Sequence, residues 1–354
     1  MGPNLLIAVA ALTLQTPQQK TSSDSSSLHG IAFERLSDLL QYNRVQGLSF
    51  GLGYRVRLPG TRAGNAYGTL RYGLSDDRVT GRLTLVGNLA GGRLALSGYH
   101  DIADLDPFSP GRTVGNTVNS LFGGHDNGDY ALAAGGSAGF ELPIRSGLAL
   151  ILTGRVEQLT SVRRVARSSV NDFLGGTGLF PPNPAVDEGT FAGGSARLRG
   201  FGPVRWNLTA DVLSGDGPTT GRLYGDVRRG FGAGLGVTVR LKAGVATEPG
   251  MPQTLYRLGG LGTVRGFEYG ALRAPAFWAA QLDVSPFKAR IRPVIFLDTG
   301  QASRISSLFS GSVLVGGGAG ISLFSGLIRF DFSRAISPDV GGKVRFDIVI
   351  QGVR

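Results

Sequence analysis

From residue 43 onward, apolar and polar residues alternate with a period of two. Over 48–58, Leu48, Phe50, Leu52, Tyr54, Val56 and Leu58 fall on one side of an extended chain. Ser49, Gly51, Gly53, Arg55 and Arg57 fall on the other. Leu235, Val237, Val239 and Leu241 oppose Gly236, Thr238, Arg240 and Lys242 in the same way. Trp206, Leu208, Ala210 and Val212 oppose Arg205, Asn207, Thr209 and Asp211, and Ile328, Phe330 and Phe332 oppose Arg329, Asp331 and Ser333. Successive side chains of a strand point to opposite faces, so each stretch predicts a strand with one apolar and one polar face. About fifteen follow one another with no helix between: 43–58, 65–75, 79–89, 92–101, 130–142, 147–159, 189–201, 204–213, 219–230, 233–246, 274–285, 291–301, 313–323, 327–336 and 343–351. Ahead of them the period is helical. Residues 31–41 place Ile31, Leu36, Leu39 and Leu40 near one side of a short helix.

A soluble half-buried sheet alternates too, and that alternative stays open on pattern alone. A membrane wall fits better. The polar faces carry arginine and aspartate with glycine, as a crowded polar lumen would. In lipid an open sheet edge is forbidden, so a meander of this length must close on itself. Single-chain bacterial barrels have an even number of strands, so fifteen leaves one unaccounted for. The widest gap is 102–129, where 111–124 supplies a cryptic fifth strand. The expectation is all-β: a 16-stranded antiparallel transmembrane β-barrel over 43–354, integral to a bacterial outer membrane. The apolar core 5–14 within 1–20 reads as a signal peptide. Residues 21–42 read as a serine-rich linker and a short amphipathic helix. The long connections 160–188 and 247–273 are expected outside the cell, and the short turns 144–147 and 202–204 in the periplasm.

Composition removes several classes of function. The 354 residues include 57 glycines and no cysteine, so no disulfide scaffold or thiolate metal site exists. The run 5–14 is too short for a spanning helix, which needs roughly 20 residues. The formal charge is +11, and of 36 basic residues only Lys20, Lys242, Lys288 and Lys343 are lysines. The arginines are spaced singly along apolar segments, not clustered among stacking aromatics, so nucleic acid is not an expected partner. A polar lumen suits them; codon usage in a GC-rich genome is the other reading. His29, His100 and His125 lie far apart, with no H-E-x-x-H spacing. His100 with Asp101, Asp104 and Asp106 forms no recognisable ligand set. No enzyme activity, catalytic residue, metal or cofactor is expected. Residues 316–320 (GGGAG) lack the Lys-Ser/Thr of a phosphate loop and read as a close-packed strand.

Residues 255–269 read LYRLGGLGTVRGFEY, in a long connection between two strands. A strand further on carries Phe296-Leu297-Asp298-Thr299-Gly300. Gly262 and Gly266 permit tight turns, so this loop can fold back into the lumen, where a confined guanidinium requires an anion. Alternation turns Arg292, Phe296 and Asp298 to one face, and Gln281, Asp283 and Ser285 to the polar face of the strand before. The tetrapeptide Val264-Arg265-Gly266-Phe267, its flanks and the F-x-D-x-G strand resemble the barrel of the BamA-like superfamily, the bacterial surface-antigen and outer-membrane assembly and translocation family. The close resemblance covers about 230–354. It implies a long extracellular loop folded into the lumen, with Arg265 against Asp298, Asp283 as second partner, and Phe267 and Phe296 beside them. It further implies protein insertion into, or translocation across, the outer membrane, and a seam of weak pairing between the first and last strands. The implied partners are outer-membrane lipids, lipopolysaccharide and phospholipid, with a protein substrate or a separate periplasmic or lipoprotein subunit. An anion-preferring pore and a scaffold for such a lipoprotein are the alternatives. The sequence departs from the family in two ways. Only 42 residues precede the first expected strand, too few for a POTRA domain, and Ile350–Arg354 ends without an aromatic, Phe346 being the nearest.

Overall fold

The computed structural model describes residues 8–9, 29–33, 36–58, 64–232, 235–287, 289–337 and 343–350. The leader expected over 1–20 lies outside them except for Ala8 and Val9, as does most of the linker. Among the described residues one large antiparallel sheet of 17 strands carries the fold. Two short pieces come first, β1 (His29–Phe33) and β2 (Leu40–Asn43). There follow β3 (Gly47–Arg57), β4 (Asn65–Gly73), β5 (Arg78–Leu89), β6 (Gly92–Asp104), β7 (Tyr130–Arg145) and β8 (Leu148–Ser161). Then come β9 (Gly189–Gly200), β10 (Val204–Ser214), β11 (Thr220–Phe231), β12 (Gly236–Ala246), β13 (Ala276–Ser285) and β14 (Arg292–Ser303). The last are β15 (Leu314–Leu323), β16 (Ile328–Ala335) and β17 (Arg345–Ile350). From β3 to β17 each strand pairs with the next in an unbroken antiparallel meander. Ala8–Val9 lies parallel to Ala32–Phe33.

The alternation read from the sequence is the alternation of the wall. Outward side chains are apolar and bare: Leu52, Leu70 and Ile295 are each more than 60% exposed. Inward positions on the same strands bury Ser49, Arg71, Phe296 and Asp298. A water-soluble protein would not leave so many large apolar side chains uncovered. No helix is long and apolar enough to cross a membrane, which says nothing of strands.

Two expectations need correction. Residues 111–124 are not a strand. They form a short helix, α2 (Val114–Val118), continued by a π-helical turn, Asn119–Gly123. Thr113 starts it by accepting the Asn116 N–H at 3.1 Å, the bond of a threonine N-cap, which stabilises a helix start. The helix expected over 31–41 is likewise cut short, with strand on both sides of it among the described residues. Only α1 (Leu36–Leu39) is helical, and the pieces on either side, β1 and β2, both pair with β3. The register runs His29↔Val56 and Ile31↔Tyr54, then Leu40↔Phe50 and Asn43↔Gly47. Nine positions separate Ile31 from Leu40 where four separate Tyr54 from Phe50. The surplus coils into α1, whose leucines produced the helical pattern. The sheet therefore begins before residue 43, and the first long strand runs in the opposite sense to the one a fifth strand at 111–124 would impose.

Because neighbouring strands alternate in direction, the connections sort to two ends. The long ones, 105–129, 162–188 and 247–275, share one end with the turn 44–46. The tight turns 146–147 and 201–203 share the other, where the Phe201 N–H donates to the Gly147 carbonyl at 2.7 Å. The loop 247–275 turns inward. Its Tyr256, Leu258, Val264 and Phe267 are fully buried against Phe277, Ala279, Leu314 and Ala335 of the wall.

Candidate functional site

The wall beneath the inward loop is built from β12 to β16. Alternation turns Arg240, Asp283, Phe296, Asp298, Arg329 and Asp331 to its inner side. Glycine makes the landing place. A Cβ on Gly316 would lie 1.9 Å from the Arg265 carbonyl oxygen, so the loop backbone rests where β15 has no side chain. Gly266 takes a φ of +92° directly against the Arg334 backbone, a conformation that favours glycine.

Arg265 descends from this backbone into a ring of carboxylates. Its Nε and Nη2 donate to Asp298 Oδ2 and Oδ1, both at 2.6 Å, and its backbone N–H donates to Oδ2 at 3.0 Å. Nη2 also reaches Asp283 Oδ1 at 2.8 Å, and Nη1 reaches Asp331 Oδ2 at 3.4 Å. The guanidinium plane lies over the Phe296 ring, 3.8 Å from its centroid. Paired forks of this kind are the strongest geometry a guanidinium offers a carboxylate, and stacking on an aromatic face adds a cation–π term. Burial alone lowers the guanidinium's pKa. The bonds to Asp298 and the nearby charges of Asp283 and Asp331 outweigh it, so the net shift is upward.

Two further arginines complete the cluster. Arg240 contacts Asp283 at 2.6 Å, and Arg329 contacts Asp283 at 3.1 Å and Asp331 at 2.5 Å. Arg329 also lies 5.1 Å from the Phe296 centroid. Arg240, Arg265 and Arg329 thus face Asp283, Asp298 and Asp331, and the formal charges cancel. Of the residues singled out from the sequence, Val264, Arg265, Gly266, Asp298, Asp283 and Phe296 meet here. Phe267 packs slightly apart, in the apolar cluster with Leu258 and Phe277. Arg240, Arg329 and Asp331 were not singled out, although the alternation on 327–336 already turned Arg329 and Asp331 to the polar face.

A second buried cluster holds the top of the loop. Asp129 meets Arg257 at 3.0 Å, Arg273 at 3.3 Å and Arg44 at 3.6 Å. Tyr269 donates to Asp106 at 3.1 Å, and Lys242 donates to the Gly262 carbonyl. The insert 105–129 and the loop 247–275 therefore fill the inner space together. His100, Asp101 and Asp104 do not form a metal cluster; none occurs among the described residues.

A family model described as the C-terminal domain of a family of unknown function (DUF5686) matches residues 14–162, which exclude the Arg265 cluster. No curated protein matches the chain. Among solved structures, BamA from Haemophilus ducreyi lacking POTRA domains 1–3 is similar over 87% of this chain and 68% of its own, at 13% identity and a TM-score of 0.60. CdiB from Escherichia coli is matched over 87% of this chain and 60% of its own, at 13% identity and a TM-score of 0.47. The chain is all-β, and its large antiparallel sheet is folded like the BamA barrel.

Proposed function

We propose that the chain is an integral outer-membrane β-barrel that acts in protein insertion into, or translocation across, the outer membrane. In this reading it is not an enzyme. Counted as one interrupted crossing, β1 and β2 bring the meander to sixteen, the even number that places both ends of the sheet on one side of the membrane. The apolar outer face meets lipid. The end bearing the long connections faces outward and the tight turns face the periplasm.

The observation that carries the reading is the clamp of Arg265 on Asp298, Asp283 and Asp331. It fastens an inward loop to the wall, in a fold shared with BamA. In this reading the clamp is a positioning device that keeps the loop in the lumen while the wall around it works. The test is reconstitution in lipid vesicles with an unfolded outer-membrane protein. Folding of that client is expected to be at least tenfold faster than in empty vesicles, and slowed again by Arg265→Ala. Client folding at the rate of empty vesicles overturns the reading.

The second reading, an anion-preferring pore, has its own support. Arg205 faces Arg228 and Arg228 faces Arg240 across neighbouring strands on the inner side. A large, steady, anion-selective current in a planar bilayer favours it. The packed loops 105–129 and 247–275 argue for a plugged, flickering one. A scaffold for a separate lipoprotein is tested by copurification from native membranes.

A further inference from the structure

The inner wall of β9 to β12 carries a row of arginines toward the tight-turn end. Arg205 of β10 stands opposite Arg228 of β11, and Arg228 opposite Arg240 of β12. Arg199 of β9 stands opposite Asn207, the next inner residue after Arg205. Other inner arginines on these strands have carboxylates. Among the described residues Arg222 pairs with Asp211 and Arg240 with Asp283, both at 2.6 Å, whereas Arg205 and Arg228 form no ion pair. Arg205 is exposed and Arg228 half-buried. The carboxylate next to them in the ladder, Asp226, lies one inner position further from the turns and accepts from Asn207 Nδ2 at 3.0 Å.

The wall beside the row is bare. The next inner positions toward the turns are Gly230 of β11 and Gly236 of β12. A Cβ added there would meet nothing nearer than 3.9 Å and 3.6 Å, respectively. The long connections pack into the other end of the lumen, so the glycines leave the row approachable from the tight-turn end. Two guanidiniums held opposite each other repel. A divalent anion between them replaces that repulsion with two attractions. One edge of a guanidinium presents two parallel N–H groups that match two phosphate oxygens. Two such edges can divide the oxygens of one phosphate between them.

We propose that Arg205 and Arg228 form a binding site for a phosphate dianion, free or as a monoester, which enters from the tight-turn end. Arg199 and Arg240 flank the site and add to its positive field. Asp226 repels the anion from the next rung and so keeps it at the row. A halide neutralises only one of the two charges and offers no pair of oxygens to a guanidinium edge, so it is held less well. The row faces the lumen and not the acyl chains, so the ligand is a dissolved phosphate and not a lipid head group. The site retains an anion where a pore must release one, and it stands whether the barrel handles proteins or conducts ions.

The test is calorimetric titration of inorganic phosphate into the full chain in nanodiscs of zwitterionic lipid, at constant ionic strength. One saturable site with a dissociation constant below about 1 mM is expected. Arg205→Gln and Arg228→Gln are each expected to weaken it at least about tenfold, as loss of a charge-assisted hydrogen bond does. Arg93→Gln, at an inner arginine of β6 opposite Glu141 of β7, is the control and is expected to leave binding unchanged. Sulfate is expected to compete with phosphate, and chloride not to. Unchanged binding in Arg205→Gln and Arg228→Gln, an equal loss in Arg93→Gln, or displacement by chloride as readily as by sulfate overturns the proposal. Nanodiscs containing phosphatidic acid check the source. Undiminished phosphate binding there supports a dissolved ligand, whereas competition assigns the site to a lipid head group and overturns that part of the proposal.

Discussion

Two parts of the inner wall carry arginine under opposite rules. Over β13 to β16, Arg265 of the inward loop and Arg329 of the wall each meet a carboxylate, as does Arg240 beside them on β12, and the Arg265 and Asp298 side chains are 5% and 0% exposed. On β10 and β11, Arg205 and Arg228 face each other across the ladder, and Arg228 faces Arg240 in turn. Like charges placed directly opposite repel, by about 0.2–1 kcal/mol per pair. The first arrangement is tolerable only when dry and complete, because a buried charge without a partner is costly. The second is tolerable only where water or anions reach it. One residue type thus marks where the lumen is packed and where it is open to solvent. Composition, which counts arginines without their partners, does not distinguish the two.

The sharpest break of that contrast is removal of one carboxylate from the packed side. Asp298→Ala leaves the buried Arg265 without its paired fork and sets three arginines against two carboxylates, and a loss of about 3 kcal/mol is expected. Urea unfolding of the detergent-solubilised chain measures it. Arg228→Ala, at a half-buried position facing two other arginines, is expected to change stability far less, by no more than about 0.5 kcal/mol. The double variant Arg265→Ala with Asp298→Ala is expected to cost less than the sum of its two single variants, since it removes the orphaned charge with its partner. Equal losses for Asp298→Ala and Arg228→Ala would erase the distinction between the two regions.

Next in size is the glycine platform. Gly316→Ala places a Cβ 1.9 Å from the Arg265 carbonyl oxygen. Backbone on both sides must shift, at a cost of about 1–3 kcal/mol by the usual penalty for overpacking. The loop is expected to lift with it, so limited proteolysis within 255–269 should accelerate while the wall stays intact. Gly221, whose added Cβ meets nothing nearer than 3.6 Å, is the control.

How far the sequence discloses these features follows from the range of each signal. Alternation is local and exact, so the wall and the inner side of Asp298, Asp283 and Asp331 were legible. The tetrapeptide at 264–267 named the loop that reaches them. That Arg329 bonds to Asp283 was not legible, because neither residue's neighbours indicate how two strands are registered. The first crossing escaped notice because its surplus residues coil into α1, and Leu36 and Leu39 there imitate an amphipathic helix. The strand expected over 111–124 failed for the opposite reason. Its glycines, threonines and asparagines carry no alternation, and what they do depends on Ile348, 229 positions away from Asn119.

The smallest expected effect sharpens the contrast from the solvated side. If Arg205 and Arg228 form a repelling row in contact with water, ending at the Asp283-paired Arg240, Arg228→Glu turns the repulsion from Arg205 into an attraction and relieves that from Arg240. It should then stabilise the chain by about 0.2–1 kcal/mol for each neighbour gained. Salt should weaken that gain, since exposed charges are screened within roughly 10 Å at 0.1 M. The same substitution at the packed cluster, Arg329→Glu, sets a third carboxylate against Asp283 and Asp331 and should destabilise at any salt concentration. Unfolding midpoints at 0.05 M and 0.5 M sodium chloride separate the two on the scale of that screening length. A salt-independent gain at Arg228 would mean that the row is dry, and that an anion or a buried partner already compensates it.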